Sequence, residues 1–213
     1  MPYLFLGYIL FALGTQLIVH SDLGASPWVV LYIGIVNYTP LSLGQASQIC
    51  GFAVLFIAYI LDTVPGLGSV FSMIFIGIFM DIIDVLGILT VPQSLSGRFA
   101  LLILGIITVG WGTCFYIKEN LGTGPRDALM VALLRKTNKP IWFIRALIEA
   151  AVLFIGYLLK GPVGIGTLIT AGTLGFSVQS AFKIAGYNAK KAKHLDLIEL
   201  ANLITCKNKE FND

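Results

Sequence analysis

"LGTGPRDAL", residues 121–129, sets a Gly-rich turn, a proline and an Arg–Asp pair into a chain that is nearly hydrocarbon on both sides. The same turn is written earlier without charges, as "LGASPWVVL" at 23–31, and the two phrases stand 98 residues apart. That offset also carries Gly7 to Gly105, Gly14-Thr15 to Gly112-Thr113, "AVLFI" at 53–57 to "AVLFI" at 151–155, "GLGS" at 66–69 to "GIGT" at 164–167, and Gly77 to Gly175. About twenty identities fall in one ungapped register over residues 4–84. Two apolar sequences match often, but shared greasiness does not align glycines and prolines, so the chain reads as an internal duplication.

Composition says where the duplicated unit lives. The 213 residues are 57% hydrophobic and 12% charged, with a mean hydropathy of +0.88. A soluble domain carries roughly 25% charged residues, so this chain is expected in a membrane. Residues 1–97 hold no Lys or Arg, and the basic side chains cluster at 118–145 and in the tail. The tail also holds Asp196, Glu199, Glu210 and Asp213, so nucleic acid is not an expected partner. Cys50, Cys114 and Cys206 form no CxxC motif or even-numbered framework, and His20 and His194 lie far apart. No metal or cofactor is expected on those grounds.

A spanning helix needs about 20 mostly apolar residues. Six stretches qualify, near 2–20, 42–61, 67–89, 97–117, 140–160 and 165–185. After the first and the fourth lie two shorter apolar stretches opening on Gly and Pro, 24–38 and 122–136. Proline suits the first position of a helix, and both stretches are expected as short interfacial or re-entrant helices, with any irregular backbone covered by protein. The expected fold is all-α: a first transmembrane repeat at 1–96, a second at 97–186 and a tail at 187–213. The tail places Leu197, Leu200, Ala201 and Ile204 at helical spacing after a run of lysines. It reads either as an amphipathic helix on the inner leaflet or as a solubilising terminus. Arg126, Arg135, Lys136 and Lys139, and the lysines after the sixth span, put those loops and both termini in the cytoplasm by the positive-inside rule. Three spans are an odd number, so the second repeat enters the bilayer inverted, as in many secondary transporters.

The ionisable groups do not follow the duplication. Arg126-Asp127 replace Trp28-Val29, Arg145 and Glu149 replace Ser47 and Gly51, and Asp81 stands where the second repeat has Gln179. A charge at membrane depth costs about 2.5–3.5 kcal/mol on insertion scales. Helix stability does not repay it here, because the acid of the i,i+4 pair Arg145/Glu149 comes second, the less favourable order. Arg126, Asp127, Arg145 and Glu149 are therefore expected to bind substrate, with Glu149 and Asp81 as candidates for proton or ion coupling. The plainer reading makes Arg145–Glu149 a self-neutralising pair and Arg126 a topology anchor. Gly124, Gly164, Gly166 and Thr167 lie at helix starts, where exposed N–H groups and the macrodipole suit an anion. The plainer reading of the glycines is tight turns and close packing.

With these residues in hand, the chain resembles the YczE/YyaS/YitT-type bacterial membrane proteins, and within them the YczE-like branch. The likeness covers roughly residues 1–185 and rests on "LGASPW", "PGLGS" followed by Asp81, "LGTGPRDALM", Arg145 with Glu149, and "VGIGT". Gly124, Pro125, Arg126, Asp127, Arg145, Glu149, Gly164, Gly166 and Thr167 match the family pattern position by position, whereas Val29 departs from it. The resemblance implies a bacterial inner-membrane protein and names no substrate.

The expected function is a small secondary transporter of a small, anionic solute, coupled to protons, with the lipid bilayer and the solute as partners and a homodimer left open. The alternative is a non-transporting scaffold or accessory protein for another membrane complex. An enzyme is not expected, because no nucleophile–base pair or metal-ligand spacing stands out.

Overall fold

The computed structural model describes residues 2–64, 66–119, 124–137 and 139–186. The tail at 187–213 lies outside the described residues, as does the turn at 121–123. Among the described residues the chain is all-helical: α1 Pro2–His20, α2 Pro27–Val36, α3 Leu43–Ile60, α4 Leu67–Val85, α5 Leu95–Lys118, α6 Pro125–Thr137, α7 Ile141–Leu158 and α8 Ile165–Ile184.

Local sequence sets these boundaries. Pro27 opens α2 after an extended Ser26, needing no N–H where a helix has no partner for one. Ser42 opens α3 with a capping box, exchanging bonds of 3.0 Å each way with Gln45. Ser94 accepts from the Gly97 amide at 3.2 Å, which starts α5 two residues before the apolar run itself begins. At the far ends of α3 and α7, Asp62 and Lys160 adopt left-handed backbone, φ 62° and 58°. Thr63 N then donates back to Ala58 O and Gly161 N to Gly156 O, the long-range bond of a Schellman end. Pro27 and Pro125, Leu43 and Ile141, Leu67 and Ile165, and Asp62 and Lys160 are each 98 residues apart. The repeat seen in the sequence is thus also a repeat of helix starts and stops.

Five helices, α1, α3, α4, α5 and α8, are long and apolar enough to cross a membrane among the described residues. At the sixth expected place stands α7, 18 residues long and carrying Arg145 and Glu149. The ten residues of α2 would reach only about half a bilayer core, at roughly 1.5 Å each. Trp28, Val29, Val30 and Tyr32 on α2 are all buried, so the short helix is covered by protein.

The bundle is organised around α1 and α5, which run antiparallel. Gly7 lies against Gly112, and Gly14 lies against Gly105. A Cβ on Gly14 would sit 2.6 Å from the Val109 amide nitrogen, so only glycine permits this approach. Tyr8 Oη donates to Gly68 O at 3.2 Å and Gln16 Nε2 to Met80 O at 2.9 Å, which sets α4 parallel to α1. On the other side, Ser177 Oγ donates to Ile106 O at 2.9 Å and Lys118 Nζ to Ala185 O at 3.3 Å, which sets α8 parallel to α5. The short helices cross over: α2 packs on α7, and α6 packs on α3.

Contacts between loops sort the bundle into two ends. Arg98 pairs with Asp22 at 3.0 Å, and Asn37 Nδ2 donates to Lys160 O at 3.0 Å, at one end. Lys136 pairs with Asp62 at 3.2 Å at the other, where Lys118, Arg135 and Lys139 also stand. These are called the Arg98 end and the Lys136 end below.

Candidate functional site

All eight helices contribute to one cavity of about 370 Å3, a size that suits a small organic molecule. Its charged lining is Arg126, Asp127, Arg145 and Glu149, and Gly124 also lines it. Five of the residues singled out in the sequence, from the two separate stretches 124–127 and 145–149, thus meet in one place.

Arg126 occupies the first turn of α6, where the helix dipole disfavours a cation. Aromatic rings from the first half offset that. The guanidinium carbon lies 4.9 Å from the centre of the Trp28 ring and 6.0 Å from that of Phe11, and Nη2 donates to Tyr32 Oη at 3.2 Å. Such cation–π contacts are worth about 0.5–2 kcal/mol, more as water is removed. One of five guanidinium N–H groups is used in that bond, which leaves donors for a ligand. The indole N–H of Trp28, a residue only 3% exposed, has no hydrogen-bond partner among the described residues. An unmet buried donor costs about 1–3 kcal/mol, and an acceptor bound in the cavity would relieve it.

Arg145 and Glu149 project from α7 one helical turn apart. Arg145 is exposed and Glu149 half-buried. Among the described residues no hydrogen bond or ion pair within 4.0 Å joins them. Glu149 and Arg126 line the same cavity. Asp127 sits in the first turn of α6, where an anion is favoured, and lines the same space.

The other expected site residues are placed elsewhere. Gly164, Gly166 and Thr167 do not line the cavity. Gly166 N donates to Leu23 O at 2.7 Å and Gly164 N to Thr167 Oγ1 at 3.1 Å, so the start of α8 spends its amides on the loop after α1 and on its own cap. A Cβ on Gly164 or Gly166 would strike the Leu23 carbonyl, so close packing explains both glycines. Asp81 is also outside the lining. Its two oxygens accept from Ser42 Oγ at 2.5 Å and from Gly44 N at 2.7 Å, at the start of α3. Asp84 is exposed.

Sequence reasoning did not single out Trp28, Tyr32 or Tyr116 as site residues. A signal existed for the first: Trp28 and Arg126 are the same position in the two repeats. In a fold whose repeats are related by a two-fold axis, a position and its copy meet near that axis.

Helices of this length and hydropathy, packed around a charged cavity, define a multi-pass, all-helical membrane protein. The chain belongs to the family described as "Family of unknown function (DUF6198)", which matches residues 1–183. It is 38% identical over 176 residues to an uncharacterized protein of Haemophilus influenzae, covering 80% of each chain. It is 31% identical over 189 residues to the "Uncharacterized membrane protein YczE" of Bacillus subtilis, covering 86% of this chain and 87% of that one. The "Uncharacterized protein YyaS" of the same bacterium is 28% identical over 167 residues, covering 78% and 83%. No solved structure matches.

Proposed function

We propose that the chain is a small secondary transporter of six spans, built as two inverted three-helix repeats, that carries a small organic anion together with a proton. The observation that carries this reading is the cavity's symmetry. Much of its lining comes in pairs of equivalent positions, among them Phe11 with Val109, Thr15 with Thr113, Trp28 with Arg126, Ser47 with Arg145 and Gly51 with Glu149. A cavity lined by such pairs lies on the axis between the halves, where inverted-repeat transporters hold their solute. The antiparallel α1–α5 contact supports the inversion. On this reading the basic Lys136 end is cytoplasmic, as the positive-inside rule favours, both termini lie inside, and the membrane is the bacterial inner membrane.

Charge selects the solute. Two cations, Arg126 and Arg145, face two anions, Asp127 and Glu149, so the empty cavity is balanced. A carboxylate that binds the guanidiniums leaves one excess negative charge. A proton taken up by Glu149 restores balance, and solute and proton then cross together without net charge. Phe11, Ile76, Leu174 and Phe182 supply an apolar wall for the rest of the solute. The reading is of a carrier, with no bond made or broken.

Thermal shifts of the purified protein test this. Benzoate and short-chain carboxylates are expected to raise the unfolding temperature, more so at lower pH, and Arg145→Ala is expected to remove the shift. If no carboxylate shifts it, and an impermeant maleimide reaches Val131→Cys from neither side of the membrane, the scaffold reading replaces this one.

A further inference from the structure

The seams α3–α4 and α7–α8 hold equivalent places in the two halves but are built differently. The first is closed. Asp81 clasps Ser42 and Gly44, Gln48 Nε2 donates to Ile74 O at 2.9 Å, and Gly44 meets the backbone of Gly77. Closer to the cavity, Gly51 lies against Met73. Among the described residues α7 and α8 have no comparable packing across the second seam. Gly175, the counterpart of Gly77, has nothing within 4 Å of where its Cβ would be, and the same holds for Gly172.

The residues account for the difference one position at a time. Where the first half has Ser42, Gly44, Gln48 and Asp81, the second has Pro140, Trp142, Ala146 and Gln179. Pro140 has no hydroxyl to offer, Ala146 cannot reach a carbonyl on the facing helix, and Gln179 carries no charge for a helix start to hold. Trp142, 71% exposed, puts an indole where Gly44 lets the backbones touch. The clasp stands at the Arg98 end, because Ser42 follows the loop containing Asn37 and Asp81 precedes the one leading to Arg98. The unclasped seam is at the Lys136 end. The cavity lies between, with Ser47 and Gly51 on the closed seam and Arg145 and Glu149 on the open one.

We propose that the clasp of Asp81 on Ser42 and Gly44 is a shut gate, and that the structure is one end state of a two-state cycle, open to the site at the Lys136 end. Asp81 holds the gate and touches no solute. Its release would part α3 from α4 and open the cavity at the Arg98 end, while α8 closes on α7. This rests on the transporter reading, but its test does not need the solute.

In a chain with Cys50, Cys114 and Cys206 replaced by alanine, Val178→Cys provides a reporter on the cavity wall. Membrane-impermeant maleimide is applied to right-side-out and inverted vesicles. The reporter is expected to react from the Lys136 end only. Asp81→Ala is expected to raise its reaction from the Arg98 end about tenfold or more, the population shift that follows loss of charge-assisted hydrogen bonds. Should Asp81→Ala fail to fold, a disulfide formed between Ser42→Cys and Asp81→Cys tests the same point, because it should leave labelling from the Lys136 end unchanged. Equal labelling from both ends in the parent, labelling from the Arg98 end alone, a folded Asp81→Ala with no change, or a cross-link that blocks the Lys136 end would each overturn the gate while leaving an aqueous site. Labelling from neither end would overturn the transporter reading as well.

Discussion

The starts of α2 and α6 are one design used twice. Both open on proline, and both bring their first turn to the same cavity. In α2 the next two residues are Trp28 and Val29, buried and uncharged; in α6 they are Arg126 and Asp127. A lipid-facing charge would cost a few kcal/mol, so the charged copy is tolerable only because the uncharged copy faces it with rings and a hydroxyl. The comparison teaches that, on the proposed two-fold scaffold, a handful of substitutions on one side sets the charge of the cavity.

The hardest way to break the comparison is to break the axis. Gly14→Leu puts a side chain into backbone atoms of α5, where nothing can yield. Overpacking usually costs about 1–3 kcal/mol, and a clash against backbone costs more. We expect no monodisperse protein on size exclusion. Gly105→Leu, its partner across the contact, should fail alike; one tolerated and the other not would mean the halves are not equivalent there.

The next test moves the charge without moving the scaffold. The double variant Trp28→Arg with Arg126→Trp exchanges a position with its own copy, so the ring and guanidinium still meet. It should fold and keep the stacking, with thermal stability near the parent's. Arg126→Ala alone should weaken carboxylate binding about 30- to 150-fold, as expected for loss of a charge-assisted donor at about 2–3 kcal/mol. Calorimetric titration with benzoate measures both. If the swap binds no worse than the parent, the cavity is symmetric enough that only the presence of the cation matters; if it binds as poorly as Arg126→Ala, the partners on the second half, Glu149 above all, set the site.

That sensitivity to partners explains what could be read in advance. The repeat, the short Pro-initiated helices and the set Arg126, Asp127, Arg145 and Glu149 were legible because glycines, prolines and intramembrane charges are rare and costly. The roles of Gly164, Gly166 and Thr167 were not. A helix start can spend its amides on a ligand or on another stretch of chain, and only the position of Leu23 decides which. Asp81 was legible as unusual but not as a clasp, since Ser42 and Gly44 lie some 40 residues before it. The same argument, that a role is set by what faces the residue, sharpens the comparison of the two seams. Rebuilding the clasp in the second half, with Pro140→Ser, Trp142→Gly and Gln179→Asp together, should draw α7 to α8. Labelling of Val178→Cys from the Lys136 end is expected to slow several-fold. Unchanged labelling would mean that helix tilt, and not these side chains, keeps the second seam apart.

The smallest effect belongs to the ion pairs at the two ends. Arg98–Asp22 and Lys136–Asp62 both join the halves. Arg98 is the better held, 30% exposed with its Nε donating to Pro92 O at 3.1 Å, whereas the side chains of the second pair are 48% and 86% exposed. Solvent screening leaves an exposed pair little to contribute. Asp62→Asn should therefore shift stability by less than about 0.5 kcal/mol, and it keeps a residue tolerant of the left-handed backbone at that position. Asp22→Asn, at the end where the gate is shut, should cost more. Equal losses in thermal unfolding would show that the two ends are held alike, and that the asymmetry of the molecule is confined to its seams and its cavity.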